Sequence, residues 1–184
     1  MKFESTVLET ARLTLRFMDE RDIDALYAVY SDPLVARYLS RPAQTERAQA
    51  EKMMSNVLAG YEDGSGINFG IVRRDDGQLM GNCMFFRFHE ESRRAEIGYS
   101  MARAYWGHGY MNEALVALID HGFGPLGLNR IEADIDPRND SSAKSLLRLG
   151  FTKEGVLRER WIVAGEVSDT AYYGLLARDW RRPA

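Results

Sequence analysis

Hydrophobic and polar positions change their period along the chain, and the changes mark the elements. Leu13, Leu15 and Phe17 alternate with Arg12, Thr14 and Arg16, the period-two pattern of a half-buried strand over 12–17. After Asp19 the spacing lengthens: Ile23, Leu26, Tyr27 and Tyr30 recur three and four apart, which predicts a helix. Asp32-Pro33 predicts a helix restart, with the acid as N-cap and proline in the first turn. A long helix is predicted over about 44–61, bounded by Gly64-Ser65-Gly66. Strand patterns follow over 68–73, 79–88 and 95–101, the first two joined by the hairpin signal Asp75-Asp76-Gly77. A helix over about 109–123 gathers Met111, Leu115, Leu118, Ile119 and Phe123 near one face. Ile131, Ala133 and Ile135 then alternate with Glu132, Asp134 and Asp136, a strand over 130–136. A short helix over about 141–149 takes Ala143, Leu146 and Leu147 as its inner face and Gly150 as its left-handed terminator. Strands around 153–163 and 167–177 close the chain through the turn Ala164-Gly165. The order predicts an α/β (α+β) fold: a mixed sheet of about seven strands with four or so helices packed on it.

The chain has 184 residues, within the size that one core can hold, and 1–184 reads as a single domain. Hydrophobic residues make up 45% and charged residues 28%, ordinary values for a globular protein. The formal net charge of -3 argues against a generally basic nucleic-acid binder. Cys83 is the one cysteine, which excludes an internal disulfide and a cysteine-rich metal site. The opening MKFESTVLETARLTLRF carries charge throughout and lacks an apolar signal core. The longest apolar run, Ala114 to Ile119, falls far short of the ~20 residues needed to span a bilayer. A cytoplasmic protein with neither nucleic-acid nor membrane partner is the expectation.

The chemically informative stretch runs from Glu96 through Met101 and the turn at Ala102 to Trp106-Gly107-His108-Gly109-Tyr110-Met111-Asn112-Glu113: strand, glycine loop, helix start. The first N–H groups of a helix have no intrahelical partner and are usually capped by Ser, Thr, Asp or Asn. No Ser, Thr or Asp lies between Ala102 and Tyr110. Two readings stand. Gly107 and Gly109 either make only a tight strand-to-helix turn, or they leave an uncapped helix start open to a phosphate. Likewise Asn139 and Ser142, in Asp136-Pro137-Arg138-Asn139-Asp140-Ser141-Ser142, either cap the next helix or present polar groups beside a strand end.

Taken together, YWGHGYMNEAL, the run Leu128-Asn129-Arg130-Ile131-Glu132-Ala133, and PRNDSSAKSLLRLGF followed by Glu154-Gly155 resemble the GNAT superfamily of N-acetyltransferases. Within it they resemble the ribosomal-protein N-terminal acetyltransferases of RimJ/RimL type, as does the opening run from Leu8 to Arg16. The resemblance spans about Leu8 to Trp180. It implies a mostly antiparallel central sheet whose middle strands, Glu96–Met101 and Arg130–Asp136, splay apart around acetyl-CoA as cosubstrate. The pantetheine arm would meet the backbone of Ser100, Met101 and Ala102 like an added strand. The pyrophosphate would rest on the Gly107, His108, Gly109, Tyr110, Met111 and Asn112 stretch. Asn139 would hold the pantetheine side, and Ser142 would lie near the thioester sulfur. The family's phosphate loop, Gln/Arg-x-x-Gly-x-Gly/Ala, falls on Trp106, Gly109 and Met111, so only the middle glycine fits strictly. A homodimer is expected from the same resemblance.

Acetyl transfer to nitrogen needs a neutral amine. Making one at pH 7 costs about 1 kcal/mol for an α-amine and nearly ~5 kcal/mol for a lysine. Glu96 is the candidate base, on one strand face with Gly98 and Ser100; the alternative is an edge glutamate paired with Arg93 or Arg94. Ser142 is the candidate proton donor to the thiolate, because the helix tyrosine many such enzymes use falls here on Leu146. Cys83, mid-strand among apolar neighbours, reads as a buried inert thiol. The three histidines, His89, His108 and His121, show no metal-ligand spacing. Glu132, Asp134 and Asp136 form an acidic strand face, either solvated or drawing a cationic amine. Tyr27, Tyr30, Tyr38 and Tyr61 belong to the core or the substrate rim. The expected reaction is acetylation of a protein or peptide N-terminal α-amine. The competing readings are a small-molecule amine acetyltransferase and a non-catalytic acyl-CoA-binding module.

Overall fold

The computed structural model describes residues 3–182. Eight strands lie among them: β1 (Val7–Glu9), β2 (Leu13–Phe17), β3 (Gly66–Arg73), β4 (Leu79–His89), β5 (Arg94–Met101), β6 (Arg130–Ile135), β7 (Thr152–Val163) and β8 (Glu166–Leu176). Five α-helices accompany them: α1 (Ile23–Tyr30), α2 (Pro33–Ala36), α3 (Arg47–Asp63), α4 (Tyr110–Phe123) and α5 (Asp140–Arg148). β1 is the one strand the alternation did not announce; it is three residues long and pairs only with β2. All strands join one sheet in the order β1-β2-β3-β4-β5-β6-β8-β7. Every neighbouring pair is antiparallel except β5 with β6.

Local chemistry sets the boundaries. The Asp32 side chain accepts a hydrogen bond from the Leu34 N–H, and Pro33 needs no partner at the first helical position. The Gln49 side chain accepts from the Glu46 N–H at 3.1 Å where α3 starts, later than the periodicity suggested, and Gly64 ends the helix at φ 78°. The β7–β8 turn puts Ala164 at φ 49° and Gly165 at φ 85°, the doubly positive backbone of a tight hairpin.

The main core gathers Leu13, Leu15, Phe69, Phe85 and Ile131 from the sheet with Leu115, Leu118 and Ile119 of α4 and Leu146 of α5. Burying such a side chain is worth about 1.5–3 kcal/mol. A second cluster joins Met18 to Leu26, Val29 and Tyr30 of α1 and Met54 of α3. α5 corrects the expected inner face: Leu146 and Leu149 are buried, whereas Leu147 is 55% exposed. His121 of α4 is buried, edge-on to Phe69. Cys83 is buried and free, and burial pushes its thiol pKa up, consistent with an inert thiol.

One irregularity matters for the site. β5 and β6 pair only through Arg94↔Arg130, Ala95↔Ile131 and Glu96↔Glu132. Beyond that point β5 stays with β4 as far as Met101↔Gly81, and β6 stays with β8 as far as Ile135↔Ala171. The two strands therefore separate in the middle of the sheet. Below the split, the ion pair of Arg94 with Glu132 at 2.7 Å bridges the two strands, while Arg130 pairs with Glu132 on its own strand at 2.8 Å and with Glu154 of β7 at 2.5 Å. The last pair crosses β8 at Gly174, whose missing side chain leaves the room for it.

Candidate active site

The split opens a cavity of about 550 Å³. Glu96, Ser100, Asn139 and Ser142 all line it, so the fold brings these four expected site residues together from β5 and the start of α5. Tyr30 and Tyr38 wall one side of it, and Trp161 of β7 lines it too.

Glu96 is 6% exposed. Its partner is Arg87, not Arg93 or Arg94: Arg87 Nη1 donates to Oε2 at 2.8 Å and to Oε1 at 3.2 Å. Arg87 reaches it because β4 is bulged between Phe86 and His89, with Arg87 itself at φ 52°. A bulge re-aims a side chain, and a positive φ on a residue with a Cβ stores strain. No periodicity rule announces it. Burial pushes the Glu96 pKa up; Arg87 opposes this and the charges of Asp134 and Glu132 add to it.

The acidic strand face is not a solvated one. Glu132 is ion-paired. Asp136 is buried and gripped by Arg138; burial raises its pKa, but the Arg138 hydrogen bonds outweigh that and hold it below the ordinary value. Asp134 lines the cavity with its Oδ2 buried, without a hydrogen-bond partner among the described residues, and 4.0 Å from Arg87 Nη1. Burial pushes its pKa up.

Ser142 is buried, with its Oγ 2.7 Å from the Tyr99 hydroxyl. Its N–H donates to Asn139 Oδ1 at 3.1 Å, so Asn139 caps α5 while lining the cavity. Burial pushes the Tyr99 pKa up to about 12. Tyr99 is the cavity residue that sequence reasoning passed over. Strand alternation sets it on the face opposite Glu96, and only the docking of α5 brings Ser142 to it.

The backbone of β5 divides by parity. Ala102 donates its N–H to Met80 O at 2.8 Å. Even-numbered residues therefore turn their amides to β4, and Ile97, Tyr99 and Met101 turn theirs into the gap. Of the expected pantetheine contacts, Met101 lies on the open edge, although its carbonyl accepts from Trp106 Nε1 at 2.7 Å. Ser100 faces β4 through its backbone. Ala102 has both backbone groups engaged, its N–H by Met80 and its carbonyl by the Tyr105 N–H at 3.0 Å. By parity, the expected stretch straddles both edges of β5, with Met101 on the open one.

The glycine loop lies outside the cavity, ahead of α4. Gly107 and Gly109 take φ 79° and 78°, conformations that favour glycine. No side chain caps α4 at Gly109, so the amides of Tyr110, Met111 and Asn112 have no helical partner. A Cβ on Gly107 would meet nothing within 4 Å. His108 is exposed, its ring stacked 5.9 Å from Tyr110. Met111 is partly buried and packs against the main core. Asn112 Oδ1 is buried without a hydrogen-bond partner among the described residues. An open strand edge, an uncapped helix start and two positive-φ glycines fit a long thioester bearing a diphosphate.

Comparison with known proteins agrees. The family model described as Acetyltransferase (GNAT) domain matches residues 12–152. The chain is 39% identical to the uncharacterized N-acetyltransferase p20 of Bacillus licheniformis, over 94% of this chain and 97% of that one. It is 28% identical to the [ribosomal protein uS5]-alanine N-acetyltransferase of Escherichia coli, over 94% and 92% of the two chains. A crystal structure of a GNAT-family acetyltransferase from Bacillus anthracis superposes with a TM-score of 0.80 at 26% identity, covering 94% of this chain and 99% of that one.

Proposed function

The chain belongs to the GNAT acetyltransferase family and is an N-acetyltransferase; from that premise we propose that its acceptor is the α-amine of a peptide or protein N-terminus and its donor acetyl-CoA. The observation that carries the reading is the parting of β5 and β6 just beyond Glu96, which leaves a buried carboxylate lining a cavity. The Escherichia coli relative, named for acetylating alanine of ribosomal protein uS5, supports the choice of acceptor. So does energetics: an α-amine needs about 1 kcal/mol to be neutral at pH 7, a lysine nearly ~5 kcal/mol.

Acetyl-CoA supplies the activated acyl group. The amides of Tyr110, Met111 and Asn112 bind the diphosphate, and the open edge at Ile97, Tyr99 and Met101 binds the pantetheine arm. Glu96 accepts the proton that the attacking amine loses, and Arg87 fixes the carboxylate for it. Ser142 acts by hydrogen bond rather than as an acid. A simple thiol titrates near ~8.5 and Tyr99 at about 12, so full proton transfer from the Tyr99–Ser142 pair to a thiolate is uphill by about 5 kcal/mol. With Tyr99 donating to Ser142, the serine hydrogen is free to point at the sulfur. Tyr99→Phe and Ser142→Ala are each expected to lower kcat about tenfold with little change in CoA affinity. The double variant should be no slower than the slower single, because both act on one contact. Additive losses would mean that the two hydroxyls act separately.

An acceptor panel tests the function. Thiol release from acetyl-CoA is followed with short peptides bearing a free α-amine, with the same peptides N-blocked but carrying lysine, and with polyamines. The free α-amine peptides are expected to turn over fastest. Turnover of polyamines alone would move the chain to the small-amine acetyltransferases, and CoA binding without turnover of any acceptor would make it an acyl-CoA-binding module.

A further inference from the structure

The β1–β2 turn, far from the cavity, reaches the glycine loop and grips it. Arg12 Nε donates to Glu113 Oε2 at 2.7 Å, and Arg12 Nη1 donates to the His108 carbonyl at 3.1 Å. The guanidinium lies 4.4 Å over the Tyr110 ring. Its Nη2 stands 3.6 Å from where a Cβ on Gly109 would be and has no hydrogen-bond acceptor among the described residues. Glu113 is held from the same turn by two further donors, the Thr10 hydroxyl at 2.7 Å and the Arg12 amide at 2.8 Å. Burial raises the Glu113 pKa, but these bonds outweigh it and hold the carboxyl below the ordinary glutamate value. A full negative charge therefore stands in the first turn of α4, where the diphosphate is to bind.

An anion site with a fixed carboxylate beside it needs a compensating cation, since like charges in one partly buried place repel. We infer that Arg12 is a positioning residue for the diphosphate: it pins the His108 carbonyl so that the following amides face outward, and its charge cancels that of Glu113 at the anion-binding end. This inference rests on the acetyl-CoA reading above. A flexible lysine matches the charge but not the fork that spans Glu113, His108 and the ring of Tyr110 at once.

The test compares two donors that differ by the diphosphate. Calorimetry measures binding of CoA and of pantetheine, and steady-state kinetics uses acetyl-CoA and acetylpantetheine, for wild type, Arg12→Gln and Arg12→Lys. Arg12→Gln is expected to weaken CoA binding at least tenfold and to lower kcat/KM for acetyl-CoA by a similar factor, with the acetylpantetheine values within twofold of wild type. Arg12→Lys should fall between. Equal losses for both donors would reduce Arg12 to a general structural contact and overturn the inference, as would no loss for either. Thermal unfolding of both variants identifies a folding defect, and if Arg12→Gln does not fold, the Arg12→Lys donor comparison decides by the same criterion. Failure of wild type to bind CoA at all would instead overturn the acetyl-CoA reading itself.

Discussion

Glu96→Gln is expected to lower kcat about a hundredfold, the low end of what a positioned general base contributes, while CoA affinity stays within twofold. The substitution keeps the shape of the side chain and leaves Arg87 half-exposed, so the cavity survives. The pH profile carries the sharper signature. Burial raises the Glu96 pKa above that of an ordinary glutamate. The base is active as carboxylate, so the acid limb of the kcat profile should lie above the usual ~4.3 and should vanish in the glutamine variant. The sign for stability is opposite to that for activity. A carboxyl with a raised folded pKa favours the native state most below its unfolded pKa, and that contribution is lost as pH rises through the folded value. Glu96→Gln is thus expected to unfold no earlier than wild type at pH 7. Equal rates for the two proteins at every pH would remove Glu96 from the chemistry.

The largest stability effect is expected at Gly81. Gly81→Ala should cost about 3 kcal/mol or more, measured from urea midpoints. Gly81 faces Met101 at the end of the β4–β5 ladder. A Cβ there would stand 2.2 Å from the Ser100 carbonyl oxygen and 2.7 Å from the Met101 Cα. Both are backbone atoms, and Ala102 is tied to Met80 next to them, so no rotamer change relieves the clash. The strands must part, which displaces the edge at Met101. Gly155 is the control: a Cβ there meets nothing within 4 Å, and Gly155→Ala should leave the midpoint unchanged. Matching midpoints for the two variants would contradict the close approach of β4 and β5.

The two predictions differ in how far sequence could have reached them. Glu96 was a candidate from its place on a strand face, because side-chain direction follows from alternation. Its partner was not, because Arg87 is aimed by a bulge, an inserted residue that leaves no mark on the apolar pattern. Nothing in the spacing singled out Gly81 either, since its constraint comes from a strand some twenty residues away. β1 escaped notice because three residues hold too little alternation to read.

The order of most strands and helices, the terminating glycines and the uncapped start of α4 were written in the one-dimensional pattern. Each depends on neighbours within a turn or two, where propensity and period act. The parting of β5 from β6, the meeting of Tyr99 with Ser142, the grip of Arg87 on Glu96 and that of Arg12 on the glycine loop were decided only in three dimensions. They join residues 9 to 96 positions apart, and such pairings are fixed by which surfaces the packed core brings face to face.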